Sequence, residues 1–220
     1  MKNKKLIIFG NSLMGEIAYY NFKKYSKYKE IFFCAEKKYI KKKQKKISLP
    51  LEKILLLKEF KKEYDYFIGI GYSKLNTVRQ KFINFFLQKK FNLINFIHPQ
   101  TTIDTKITGI NNFIMDNVSI NPYTKIGNGN ILWSSVVVGH HNKIGSNNFF
   151  SGNVTISGNS IIKNNCFFGV NSCTKDGINI QNNCFIDAGE YVNKNLKKNS
   201  FFNTKINKNE KVQSTDFIDL

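Results

Sequence analysis

The chain has 220 residues, 41% of them hydrophobic and 14% aromatic, which is enough to build one large or two small folded domains and excludes a disordered chain. No run of about 18 uncharged apolar residues occurs, so no transmembrane helix and no membrane insertion are predicted. The net charge of +19 comes from lysines spread along the chain, which favours anionic small-molecule substrates over a nucleic-acid partner.

Strand and helix patterns alternate before His98, which predicts a small parallel α/β sheet. The predicted strands are Lys5–Phe9, Ile31–Cys34, Tyr66–Ile70 and Leu93–Ile97. The predicted helices are Leu13–Lys24, Lys53–Lys62 and one marked by Val78, Phe82, Phe85 and Phe86. The side chains of the first helix that are expected to face the core are Leu13, Ile17, Tyr20 and Phe22.

After Pro99 the pattern changes to an apolar residue at every sixth position. A helix has a period of 3.6 and an ordinary strand a period of 2, so neither explains it. A left-handed parallel β-helix does, because each coil of about eighteen residues has three short strands that each point one side chain inward. The fourteen positions, apolar except for Thr174, are Ile114, Ile120, Ile126, Leu132, Val138, Ile144, Phe150, Ile156, Ile162, Phe168, Thr174, Ile180, Ile186 and Val192.

The same period makes two further predictions about the coils. The corners between strands need a left-handed backbone, which explains the Gly, Asn and Asp residues found there. Cys166 and Cys184 are one coil apart and are expected to stack as small buried thiols without a disulfide bond. The cysteines lack the spacing of zinc ligands, so no metal site is predicted.

Several segments carry a resemblance to a known family. IIFGNSLMGE opens the N-terminal region, YFIGIGYSKLNTVRQK follows in mid-chain, IHP precedes the repeat, and VVVGHHNKIG and NNCFFGVNSCTKDGINI lie within it. Over about residues 4–195 the chain resembles the hexapeptide-repeat sugar acetyltransferases of the sialic-acid O-acetyltransferase and bacillosamine N-acetyltransferase type. The resemblance implies a Rossmann-like nucleotide-sugar-binding domain at 1–98, a left-handed β-helix acyltransferase domain at 99–200 and a tail at 201–220.

The implied activity is acetyl-CoA-dependent N-acetylation of a nucleotide-linked amino sugar, of the 4-amino-4,6-dideoxy type or similar, for a surface glycan or glycoprotein. The resemblance further implies a cytoplasmic homotrimer with active sites between subunits and no metal. O-acetylation of a sialic-acid-like sugar is the nearest alternative. A non-catalytic carbohydrate-binding or structural β-helix is a second, and nucleic-acid binding, which rests on the charge alone, is a third.

His140 is the residue that the resemblance identifies as the general base, and His141 follows it as a second catalytic candidate. The family usually has a carboxylate directly after the histidine, and a histidine does not replace that charge. Asp116 is the nearest acidic residue upstream in the repeat and is the candidate to compensate. Trp133 stands where the family tends to place a sugar-binding asparagine, and Phe149 where a second histidine often approaches the acetyl group.

The remaining site residues are also implied by the resemblance. The expected nucleotide-sugar contacts, around the first glycine turn and after the strands, are Gly10, Asn11, Ser12, Glu36, Gly71, Tyr72 and Arg79. The expected acetyl-CoA contacts besides Phe149, many of them through backbone amides, are Ser157, Gly158, Val170, Ala188, Gly189 and Lys205. Gly10, Gly158 and Gly189 are equally explained as turn or corner glycines.

Overall fold

The structure is a computed structural model that describes residues 5–40, 48–56 and 59–204. The chain divides into two compact units. The first contains the residues up to Gly71 together with Lys81–Asn95, and the second contains Tyr72–Gln80 together with the residues from Phe96 onward. In the described part, no helix has the length and apolar character needed to cross a bilayer.

The first unit is built on a four-stranded parallel sheet. Its strands are β1 (Lys5–Phe9), β2 (Ile31–Ala35), β3 (Ser48–Pro50) and β4 (Tyr64–Ile68), in the order β3-β2-β1-β4. The helices are α1 (Leu13–Tyr25), α2 (Leu51–Leu56), α3 (Glu59–Glu63) and α4 (Thr77–Gln88), with a 3₁₀ turn at Lys37–Tyr39. β1 is apolar and buried along most of its length because it is a central strand of this sheet.

Several details of the first unit differ from the sequence prediction. Leu13 and Tyr20 are 78% and 59% exposed, because α1 turns Met14, Gly15, Ala18, Asn21 and Phe22 inward instead. The helix predicted at Lys53–Lys62 is helical over its described residues, which belong to α2 and α3, and residues 57–58 lie outside the described residues. β3 was not predicted, since it is short and follows a lysine-rich run. The strand predicted at Leu93–Ile97 is wrong: Leu93 makes an isolated bridge with Tyr66, and Phe96–Ile97 pairs with the second unit.

The second unit is the predicted parallel β-helix, with two-residue strands in three parallel sheets. Equivalent residues of adjacent coils are eighteen apart through most of the repeat, as in Ile131 pairing with Phe149. The first sheet consists of Phe96–Ile97, Phe113–Ile114, Ile131–Leu132, Phe149–Phe150, Phe167–Phe168, Phe185–Ile186 and Phe201–Phe202. The second consists of Thr102–Ile103, Ser119–Ile120, Val137–Val138, Thr155–Ile156, Cys173–Thr174 and Tyr191–Val192. The third consists of Lys125–Ile126, Lys143–Ile144, Ile161–Ile162 and Asn179–Ile180.

The core of the β-helix confirms the six-residue pattern. All fourteen predicted positions, Thr174 included, are buried and at most 4% exposed. Asparagines add a polar ladder beside this core: the Oδ1 of Asn112 accepts the N–H of Asn130 at 2.8 Å, and the Oδ1 of Asn130 accepts the N–H of Asn148 at 2.9 Å. The side-chain oxygens of the ladder therefore satisfy backbone N–H groups that the coils bury.

The corners of the coils have the left-handed backbone that the sequence predicts. Three residues before each core position, φ is positive in every coil from Asn111 to Gly189. Asparagine and glycine occupy most of these positions, because they tolerate this conformation best. The other occupants are Tyr123, Ser135 and His141, with φ of 64°, 61° and 57°.

The segment Tyr72–Gln80 packs on the outer face of the first sheet within the second unit. The Arg79 guanidinium is fully buried and donates to the carbonyl oxygens of Gly129, Asn147 and Asn148 at 3.0–3.3 Å. Asn76 donates to the carbonyl oxygen of Cys166 at 3.2 Å. These bonds fix the segment to the coils.

All four cysteines are free thiols in the structure, including the stacked pair Cys166 and Cys184. Both side chains are fully buried.

Candidate active site

The two consecutive histidines lie at a corner of the β-helix, between the second and third sheets. Their Nδ1 atoms are 3.1 Å apart, and the His141 ring packs on Tyr123 with its centroid at 4.6 Å. One Nδ1 must donate to the other. When His140 donates, its Nε2 has a lone pair and can accept a proton, while neutral His141 acts as the acceptor that orients the ring.

Gly158, in the next coil, lies beneath the His140 ring. A Cβ built on Gly158 would lie 2.7 Å from Cε1 and 2.9 Å from Nε2 of His140, and 2.9 Å from Oδ1 of Asp176. Any larger residue at this position would displace the imidazole. Gly158, predicted as an acetyl-CoA contact, therefore also provides the space that His140 occupies.

Asp176 was missed by the sequence analysis. It lies 36 residues after His140, which is two coils of eighteen, so the repeat itself contains the signal that could have identified it. Asp116, the carboxylate favoured from sequence, is engaged elsewhere: its oxygens accept from the Ser134 hydroxyl at 2.6 Å and the Asn117 amide at 3.4 Å. The structure therefore places Asp176, and not Asp116, beside His140.

Three of the predicted contacts come together on the outer face of the first sheet. The Tyr72 ring packs edge-on against Phe149 at 5.0 Å, and the Trp133 ring lies 6.3 Å from Phe149. Trp133 follows the first sheet and His140 follows the second, so they occupy different corners of the coil. Within one chain, the structure does not bring these aromatic residues together with His140.

Arg79 was predicted to contact the nucleotide-sugar, but its side chain is bound to the β-helix instead. Its side chain is completely buried by the coils, and burial lowers the pKa of the guanidinium to about 9, which still leaves it protonated at neutral pH. The geometry favours a structural role, in which Arg79 anchors the segment that contains Tyr72.

The predicted acetyl-CoA contacts lie along the later coils. The Ser157 amide donates to Thr174 Oγ1 at 3.0 Å and the Ala188 amide to Asp187 Oδ1 at 2.7 Å, so both amides already have acceptors. Val170 is 48% exposed, and a Cβ on Gly189 would meet no atom within 4 Å. Open surface is therefore present beside Val170 and Gly189. Lys205 lies outside the described residues.

The predicted nucleotide-sugar contacts Gly10, Asn11, Ser12 and Gly71 lie in the first unit, near the carboxyl ends of β1 and β4, where the strand order reverses. Gly10 has φ of 114°, and a Cβ there would be 2.6 Å from the carbonyl oxygen of Gly69. Gly10 is thus required by the turn itself. A Cβ on Gly71 would meet only Met14, at 3.9 Å.

Beside this turn, Ser12 caps α1 without a side-chain hydrogen bond to the helix, and Asn11 donates to the carbonyl oxygen of Tyr39 at 3.0 Å. An open cleft of about 450 Å³ is lined by Glu36, Lys37, Lys38 and Glu52. The first-turn amides of α1 and the lysines of the cleft offer positive groups to an anion.

No group of three or more His, Cys, Asp or Glu side chains suited to a metal ion occurs among residues 5–40, 48–56 and 59–204.

Comparison with known proteins agrees with this architecture. Residues 5–86 match the family model of the PglD N-terminal domain, and residues 160–194 match that of the hexapeptide repeat of succinyl-transferase. No curated protein sequence matches the chain significantly.

Solved structures match nearly the whole chain. The acetyltransferase domain of PglB from Neisseria gonorrhoeae has a TM-score of 0.79 at 18% identity, covering 90% of this chain and 96% of that one. PerB from Caulobacter crescentus, solved with CoA and GDP-perosamine, has a TM-score of 0.75 at 19% identity, covering 90% and 92%. WeeI from Acinetobacter baumannii has 0.75 at 16%, covering 90% and 95%.

These matches confirm the predicted fold class, a Rossmann-like domain followed by a left-handed parallel β-helix. The chain therefore joins a segment similar to the PglD N-terminal domain, at 5–86, to a hexapeptide-repeat segment at 160–194, which is the combination that its sequence resemblance implied.

Proposed function

We propose that the protein is an acetyl-CoA-dependent N-acetyltransferase that acts on a nucleotide-linked amino sugar. The observation that carries this proposal is the arrangement of His140, whose Nδ1 is held by His141 while its Nε2 lies over Gly158 at a β-helix corner. The same fold in PerB was solved with CoA and a nucleotide-linked sugar, GDP-perosamine. A ring that is oriented at one nitrogen and open at the other suits a general base.

In this reaction His140 Nε2 takes a proton from the sugar amine as the amine attacks the thioester carbonyl of acetyl-CoA. The tetrahedral intermediate then expels the CoA thiolate, which receives the proton and leaves as the thiol. His141 accepts the Nδ1–H of His140 throughout, which keeps Nε2 in the basic tautomer. Transfer is direct, with no covalent enzyme intermediate, so ping-pong kinetics would count against this mechanism.

The nucleotide-sugar is assigned to the first unit. A diphosphate placed at the start of α1 would meet first-turn amides and the Ser12 hydroxyl, with Lys37 and Lys38 at the nearby cleft. Glu36 borders the same cleft and is suited to a ribose hydroxyl.

Acetyl-CoA is assigned to the open surface beside Val170 and Gly189, which are one coil apart and joined by a 2.8 Å backbone hydrogen bond. An extended pantetheine chain fits such a strip, because it needs little width and few polar partners. His140 and Trp133 occupy different corners in one chain, so we infer a homotrimer in which neighbouring subunits complete each site.

The activity is tested with acetyl-CoA and a panel of UDP-, dTDP- and GDP-linked amino sugars, with release of the CoA thiol as the readout. Thiol release and an N-acetylated product with at least one member are expected. Turnover only with a sialic-acid-like sugar, giving an ester, would instead identify an O-acetyltransferase. No turnover with any member, together with no thermal shift on adding CoA, would favour a non-catalytic β-helix.

His140→Ala tests the assignment of the base. Loss of general-base catalysis is expected to lower kcat by at least about 10²-fold with little change in KM for acetyl-CoA. His141→Ala is the matched variant and is expected to have a smaller effect, because it removes orientation and leaves the base. Full activity in His140→Ala would show that His140 is not the general base.

A further inference from the structure

Asp176 shares a column of β-helix turns with His140, and Gly158 is the residue between them. The point where a Cβ of Gly158 would lie is 2.9 Å from His140 Nε2 and 2.9 Å from Asp176 Oδ1. These two atoms are therefore separated by no more than twice that distance. Because Gly158 has no side chain, the space that its Cβ would fill is left between the imidazole and the carboxylate.

The other titratable groups around His140 do not supply a negative charge at neutral pH. His141 contacts it at Nδ1, and Tyr123 lies beyond His141. Lys175 precedes Asp176 in its turn. In the part of the chain that the structure describes, the ion pairs are Lys5–Glu30 and Lys38–Glu36, so no lysine neutralises Asp176 at ion-pair distance.

We propose that Asp176 is the electrostatic partner of His140, an inference that rests on the proposed acetyl transfer. When Nε2 accepts the proton of the sugar amine, the imidazole becomes a cation with its Nδ1–H bonded to His141 and its new Nε2–H on the side of Asp176. The carboxylate stabilises that cation across the gap over Gly158. Asp176 acts through His140, so it is a positioning and charge-stabilising residue and takes no proton itself.

Proton NMR of the full chain tests this charge interaction without any substrate. The chain has three histidines, and buried His98 serves as an internal reference for the Cε1–H signals of His140 and His141. The midpoint of the His140 signal is expected to move to lower pH in Asp176→Asn at low salt, because a negative charge no more than about 6 Å from Nε2 is removed. His140→Gln identifies its signal by loss of the resonance.

Two controls address the substitution itself. Raising the salt concentration screens the charge interaction without any substitution and should reduce the difference between wild type and Asp176→Asn. Asp176→Glu keeps the negative charge, so the His140 midpoint is expected to stay close to its wild-type value. A fold defect alone would not follow charge in this way.

Kinetics give the second readout. In Asp176→Asn the acid limb of the kcat/KM profile is expected to move to lower pH, with a three- to tenfold loss of kcat and an unchanged KM for acetyl-CoA. The two proposals fail separately. An unchanged His140 midpoint in Asp176→Asn overturns the role of Asp176 even if transfer occurs, whereas a shifted midpoint with no transfer to any acceptor supports the charge interaction and overturns the acetyltransferase.

Discussion

The two units of the chain build their cores in different ways. In the first unit each contact is individual: Phe9 packs on Phe82 at 4.4 Å, and Gly10 fits against Gly69 in a turn that occurs once. In the second unit one contact recurs, so that a residue and its partner eighteen positions away share the same surroundings. A residue's position in the repeat therefore indicates its environment, whereas in the first unit each environment must be observed.

The largest effect is expected from removing one ring of the repeated core. Phe150 is fully buried and stacks on Phe168 at 4.9 Å, so Phe150→Ala should lower the free energy of unfolding by about 3–5 kcal/mol. Urea denaturation followed by the fluorescence of Trp133, the single tryptophan, reports on this unit. Phe201→Ala, at an outward and half-buried position, should lose clearly less. Equal losses would show that the repeat does not set the environment.

Arg79→Met tests the part of the second unit that lies outside the repeat. The variant removes the side-chain donor to the buried carbonyl oxygens of Gly129 and Asn147 and leaves Asn148 with only its bond from the Ile131 amide, which should cost about 2–4 kcal/mol in the same measurement. Lys81→Met, an exposed residue of the same helix, is the control and should change stability by less than about 0.5 kcal/mol. If Arg79 only bound the nucleotide and had no structural role, Arg79→Met would not lower the free energy of unfolding.

Gly10→Ala addresses the individual contacts of the first unit. Its φ of 114° is unfavourable for alanine, and the new Cβ would lie 2.6 Å from the Gly69 carbonyl oxygen. A loss of about 2–3 kcal/mol is expected from strain and overpacking, measured by circular dichroism at the helix signal. Gly71→Ala, with open space around it, should be nearly neutral. A neutral Gly10→Ala would contradict the turn geometry.

The smallest effect is expected at a corner of the β-helix. Ser135 has φ of 61° where most equivalent corners have asparagine, so Ser135→Asn should raise the free energy of unfolding by about 0.5 kcal/mol. Ser119→Asn, within a strand of the second sheet, should give no gain because asparagine is unfavourable in strands. A gain at both sites would mean that backbone conformation is not the cause.

The repeat explains why the second unit was predicted so fully. A period of six identifies core, corner and strand together, and every core position from Ile114 to Val192 is buried. The inward face of α1 was predicted wrongly at Leu13 and Tyr20, because helical periodicity alone does not say which of two apolar faces meets the sheet. The burial of Arg79 was not predictable either, since it depends on carbonyl groups more than fifty positions away.

The candidate site was predictable only in part. The histidine pair was found from its motif, but the partner of His140 depends on which corners stack, and linear proximity pointed to Asp116. Counting in coils of eighteen, instead of in residues along the chain, leads from His140 to Asp176.

The eighteen-residue spacing of hydrogen-bonded partners also sets how the second unit can fold. Each strand of the β-helix pairs only with its counterparts in the adjacent coils, so the chain between two pairing strands is always about one coil long. The contact order is therefore uniform along the β-helix, and no distant segment has to be found before pairing begins. Folding can nucleate at any two adjacent coils and spread in both directions, with each finished coil serving as the template for the next.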